Sequence, residues 1–201
     1  ATYPPAADAG SFLPPAIERH ADLLVRAGRR DEALALLEQD INATSPALVA
    51  AHDRLVAGRP IEAQRMTTAR GAAVGLYGLA AIFHQEADAT SALATLTLAL
   101  ILDPQLDAAH LMFAQVQSAL GHPGLARTAL ARIPSTSPYA SSARVMDAWT
   151  LVHEGRSDEA VAMTRAAGEA GDVRAKRALA DMYRNLQRYD EAEPIYTELI
   201  A

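Results

Sequence analysis

Apolar residues along this chain recur three and four positions apart, first on one side of a short polar turn and then on the other, which predicts pairs of amphipathic helices. From Ala73 the series runs Leu76, Leu79, Ala80 and Phe83, then Ala92, Leu96 and Ala99, closing at Pro104. From Asp107 the matching places hold Phe113, Ala114, Ala126, Leu130, Ile133 and Pro138. From Ser141 they hold Ala148, Leu151, Gly155, Ala160 and Ala167, and from Val173 they hold Leu179, Ala180, Tyr183, Ala192, Tyr196 and Leu199. A copy from Pro14 offers Ile17, Ala21, Leu24, Gly28, Ala33 and Leu37. The period is about 34 residues, and a unit of two helices cannot bury its apolar face alone, so the copies are expected to stack.

Five copies result, at about 14–44, 73–106, 107–140, 141–172 and 173–201. Small residues stand where paired helices must approach closely: Ala80 with Ala92, Ala114 with Ala126, Ala180 with Ala192. Asp31-Glu32, Asp158-Glu159 and Asp190-Glu191 each precede an alanine, which places Asp as helix N-cap and Glu in the first turn. Between the first two copies, Ser45 is expected to cap a single helix with Pro46 at its first position and Gly58 at its end. Residues 59–70 then read as an irregular link, and an odd helix there predicts a kink or shift in the array between residues 44 and 72. Residues 1–15, with four prolines, form a tail or docking strand.

These positions resemble the tetratricopeptide (TPR) repeat, whose small residues at the eighth, twentieth and twenty-seventh places and proline at the thirty-second are met almost fully in residues 73–106. The resemblance covers about three quarters of the chain. It implies an all-α fold, a right-handed TPR superhelix or α-solenoid of about five repeats with one odd helix near 45–72. The stretches Gly58-Arg59-Pro60, Leu76-Tyr77-Gly78-Leu79-Ala80 and Leu98-Ala99-Leu100-Ile101-Leu102-Asp103-Pro104 are similar to long multi-repeat TPR proteins of proteobacteria. Many of those are exported, so the resemblance implies a periplasmic or exported protein, with the cytoplasm as the alternative. The copy at 141–172 departs from the pattern. It carries Asp172 in place of proline and puts Arg144, Asp147 and Thr164 at places that are usually apolar, so it is expected to be the least stable repeat.

Composition agrees with helix. Of 201 residues, 45 are alanine, the best helix former, and aromatic residues make up only 5%, too few for a sandwich or barrel. A net charge of −6 works against nucleic-acid binding, and no apolar run reaches the roughly 18 residues of a membrane span. Without cysteine there is neither a disulfide framework nor a thiolate metal site. The single lysine, Lys176, follows Ala175, so the Gly-Lys-Ser/Thr core of a phosphate loop is absent. The six histidines form no His-Glu-x-x-His; His84 and Asp88 are four apart, but turn position favours a solvated histidine over a ligand. Gly71, Gly75 and Gly78 lie in a helical pattern and read as close-packing positions rather than a phosphate loop. No catalytic constellation, metal site or cofactor is expected.

What remains is surface. The resemblance implies an inner face lined by the first helix of each repeat, which transfers to Glu18, Asp22 and Arg26, then Tyr77, Ala81 and Gln85, then Leu111, Gln115 and Ser118. It continues with Val145, Trp149 and His153, and finishes at Arg174, Arg177, Asp181 and Arg184. Helical geometry independently places the last four within about 80° of one another. They form either a clamp for carboxylates of a partner or an ordinary solvated face laced by Asp181. Trp149 either anchors a bound segment or fills the seam between repeats, and Tyr77, Leu111 and Val145 are divided in the same way. The lysine and asparagine of chaperone-tail clamps are replaced here by Tyr77, Ala81, Leu111 and Gln115, so that partner is not expected. The sequence therefore predicts a non-enzymatic scaffold that holds a protein or peptide with acidic and apolar groups. The alternative is a purely structural or dimerising segment of a longer multi-repeat protein, with self-association through the C-terminal helix, around Ile195, Leu199 and Ile200.

Overall fold

The computed structural model describes residues 14–41, 45–61 and 66–200, which are entirely helix and turn. The helices are α1 (Pro14–Arg26), α2 (Arg30–Ile41), α3 (Pro46–Val56), α4 (Thr68–Gln85), α5 (Ala89–Leu102), α6 (Asp107–Ala119), α7 (Pro123–Leu130), α8 (Ala140–His153), α9 (Ser157–Glu169), α10 (Val173–Asn185) and α11 (Tyr189–Ile200). In chain order they form five helix pairs plus α3, an α-solenoid arrangement of the TPR type. Residues 1–13 of the expected tail lie outside the described residues, while Pro14 and Pro15 open α1, where a missing N–H costs nothing. The chain forms two compact units, residues 1–109 and 110–201.

One backbone device closes the first helix of each pair. Gly28, Gly121 and Gly155 adopt φ of +76°, +75° and +78°, and Ala87 and Gln187 adopt the same left-handed region at +59° and +60°. The next residue then donates back to the last turn: Arg29 to the Leu24 carbonyl at 2.9 Å, Asp88 to Phe83 at 2.9 Å, Arg188 to Tyr183 at 2.8 Å. This satisfies carbonyls that would otherwise be orphaned at the helix end. The second helices begin differently from expectation. Asp31, Asp158 and Asp190 lie inside the first turn rather than at the cap, and the cap position of α9 is Arg156, which makes no side-chain cap bond. An arginine ahead of each helix instead reaches the glutamate three residues on: Arg29 to Glu32, Arg156 to Glu159 and Arg188 to Glu191. The acids still complement the positive end of the helix dipole.

In the first unit, α1, α2 and α3 enclose a core of Ala21, Leu24, Ala33, Leu37, Leu48 and Leu55. The odd helix α3 packs against both α1 and α2. Ser45 occupies its cap position, but its hydroxyl makes no cap bond and is buried without a partner. The superhelix shift expected between 44 and 72 falls partly on residues 62–65, outside the described residues. α4 starts at Thr68, capped by the Thr67 hydroxyl, which accepts from the Arg70 N–H at 3.1 Å. It pairs with α5 through Ala80, Ala92, Leu96 and Ala99, all fully buried. Gly75 is not a close-packing position: nothing lies within 4 Å of where its Cβ would stand, and Gly71 meets only the Met66 side chain.

In the second unit, α8 to α11 stack in order, each helix packed on the next, and α8 also touches α10. The polar residues that break the pattern in 141–172 are all satisfied. Arg144 pairs with Asp172 at 2.8 Å, Asp147 with Arg127 at 2.7 Å, and the buried Thr164 hydroxyl donates to the Ala160 carbonyl at 2.6 Å. Asp172, standing where proline was expected, caps α10 by accepting from the Ala175 N–H at 3.0 Å.

Candidate partner-binding surface

Helix α10 presents the basic stripe. Arg174 and Arg177 are exposed, and neither makes an ion pair among the described residues. Asp181, the one acid on the stripe, is committed elsewhere: it accepts the Tyr196 phenol of α11 at 2.6 Å and pairs with Arg184 at 3.3 Å. Burial, and then the neighbouring Asp181, push the Tyr196 hydroxyl above its ordinary pKa. Arg174 stands in the first turn of α10, where a cation opposes the helix dipole, so the folded chain gains nothing by placing it there.

Helix α8 lies alongside. Val145 and Trp149 pack on a cluster formed by Ala148 and Leu151 of α8, Ala160 of α9, and Ala178 and Met182 of α10. Trp149 thus fills the seam between α8 and α10, yet it stays partly exposed. Its ring lies 6.5 Å from that of His153 at a tilt of 36°, and His153 is exposed. On α6, Leu111 is half-buried and Gln115 exposed. The second unit therefore joins an aromatic and apolar patch on α8 to a basic stripe on α10.

Tyr77 belongs to the first unit and is only 8% exposed; burial pushes its phenol up to about 12. On α1, Asp22 is buried between Arg19 at 2.6 Å and Arg26 at 3.0 Å. Glu18 is pushed up to about 7, chiefly by burial, with Asp22 adding to the rise and the Arg70 and Arg54 guanidiniums opposing it. Among the described residues, no group of three or more metal-ligating side chains converges, and no helix is long and apolar enough to cross a membrane. Sequence reasoning missed the Tyr196–Asp181 bond, which joins residues 15 apart on different helices; only their register in the repeat hinted at the approach.

Stacked helix hairpins with satisfied turns define a helical-repeat scaffold. Tetratricopeptide repeat profiles match residues 177–201, and residues 19–39 with 141–166. These segments are tetratricopeptide repeats, which support a protein–protein interaction scaffold of a kind that is generally non-enzymatic. No curated protein matches the sequence. Among solved structures, MamA is similar at a TM-score of 0.52 with 15% identity, over 90% of this chain and 92% of MamA. The MamA RS-1 ArsTM double mutant gives 0.52 at 14% identity, over 93% of each chain. YrrB, described as a TPR protein with an unusual peptide-binding site, gives 0.48 at 19% identity, over 96% of this chain and 87% of YrrB. Identities this low speak to the fold.

Proposed function

We propose that the second unit holds an extended or helical segment of a partner protein on the side of α8 and α10 that carries Trp149 and the arginine stripe. The observation behind this reading is the pair Arg174 and Arg177, exposed and unpaired while Asp181 is occupied by Tyr196 and Arg184. Two guanidiniums one turn apart suit the paired oxygens of a carboxylate. Trp149, rigid and half-seated in the seam, supplies apolar area at small entropic cost. The partner segment is accordingly acidic with an apolar residue beside the acids. Val145, His153, Leu111 and Gln115 extend the contact along α8 and α6.

The test is recovery of partners from the native cell by the full chain, compared with Arg174→Glu/Arg177→Glu and with Trp149→Ala/Arg177→Glu. Loss of the same partners from both variants supports the assignment, and retention of all of them overturns it. The arginine variant alters only exposed side chains, so its failure to bind would not be a failure to fold.

A further inference from the structure

A second groove lies on the other side of α10. At about 100° per residue, Leu179 and Tyr183 fall roughly 100° or more round that helix from Arg174, Arg177 and Arg184, with Lys176 at the edge between the two faces. They floor a cavity of about 540 Å³ whose walls are α9 and α11. The helices pack closely here: a Cβ on Gly168 would stand 3.3 Å from both Cα and Cβ of Lys176, so a side chain there would push α9 and α10 apart by a few tenths of an ångström. Leu179 and Tyr183 are buried, and Ile195 and Pro194 of α11 complete the apolar lining.

The rim is short of cations. Lys176 pairs with Glu198, Arg188 pairs with Glu191 at 2.6 Å while lying 4.7 Å over the Tyr183 ring, and Arg165 donates to the neutral Tyr183 hydroxyl, which leaves its own charge in place. Glu169 and Asp190, on opposite walls, are left with no ion pair among the described residues. Pro194 adds an acceptor. Lacking an N–H, it leaves the Asp190 carbonyl without its helical partner, at the same edge of the groove.

We infer that this groove is a second docking surface, separate from the one proposed above, and that its occupant is a basic segment of a partner protein. An arginine or lysine of that segment meets Glu169 and Asp190, and an adjacent apolar side chain lies over Leu179 and Ile195. The charge complementarity commits the choice: Glu169 and Asp190 outnumber Arg165 and leave the groove net negative, whereas Arg174 and Arg177 make the other face positive, so the two faces select oppositely charged segments.

The experiment is fluorescence anisotropy of the full chain with a labelled synthetic peptide of alternating arginine and leucine, alongside an aspartate-leucine counterpart. Glu169→Gln/Asp190→Asn is expected to weaken the basic peptide about tenfold, while Arg174→Glu/Arg177→Glu leaves it unchanged or strengthens it. Ile195→Ser, at a partly exposed site, should weaken it as well, by removing apolar lining without adding charge. Binding of the basic peptide that the Glu169/Asp190 variant does not alter overturns the inference. So does self-association of the chain abolished by either charge variant, because the groove would then be occupied by the arginine stripe of a second copy. Loss of the acidic peptide alone bears on the α8–α10 face and leaves this groove standing.

Discussion

Tyr196 of α11 donates its phenolic hydrogen to Asp181 of α10 across 2.6 Å, and Arg184 reaches the same oxygen at 3.3 Å. Removing the hydroxyl returns the carboxylate to the stripe. Tyr196→Phe is expected to cost about 0.5–1 kcal/mol of stability, a partly exposed bond being discounted for solvent. It should also weaken an acidic peptide several-fold while leaving a neutral one unaffected. Calorimetric titration of both peptides checks this.

Glu18 gives the first unit a pH dependence. Burial raises its pKa from 4.5 to about 7, so between those values the folded chain binds more proton than the unfolded one. Its contribution is fully present below pH 4.5 and is lost as pH rises through about 7. Glu18→Gln should therefore be more stable than the parent at pH 8, by on the order of 2 kcal/mol, with the gap closing towards pH 4.5. Thermal midpoints of both proteins across that range decide it; a gap independent of pH contradicts the burial of this carboxyl.

Ala87 stands in the left-handed region at +59°, where three equivalent turns use glycine. The strain there is about 1–2 kcal/mol, and the entropic cost of glycine about 0.5–1. Ala87→Gly should stabilise the chain by about 0.5–1 kcal/mol in urea denaturation, whereas Gly155→Ala should destabilise it by a similar amount.

The alanine pairs set how closely helices approach. Ala180 is fully buried and Ala192 is only 3% exposed, so Ala180→Leu has no room and should cost about 1–3 kcal/mol. A leucine accepted there without loss of stability would mean that α10 and α11 are not packed as described.

The hairpins were legible because period and turn agree: Leu96, Ala99, Leu179 and Ala180 are buried where the apolar spacing puts them. Capping was less legible. Asp158 looked like a cap and is not, whereas Asp172 looked like a defect and caps α10. Helix starts depend on backbone angles that local composition leaves open by a residue or two. The partners of the polar residues in 141–172 were not legible for a different reason, since Arg127 and Asp147 satisfy each other across 20 residues, beyond any local pattern. For the surface, helical spacing gathered Arg174, Arg177, Asp181 and Arg184, but which of them keep a free charge depended on Tyr196 from the next helix. Trp149 was divided between anchor and seam because the spacing of α8 is the same for both; its partners on α10 place it in the seam with one part of the ring still open.

The α8–α10 face can be watched directly, because Trp149 is the only tryptophan in the chain. Its emission should shift to the blue and become shielded from iodide when the aspartate-leucine peptide is added. The response should disappear in Arg174→Glu/Arg177→Glu, whose circular dichroism is unchanged. Emission that stays constant up to millimolar peptide, or that responds equally to the arginine-leucine peptide, would contradict the assignment of this face to an acidic partner segment.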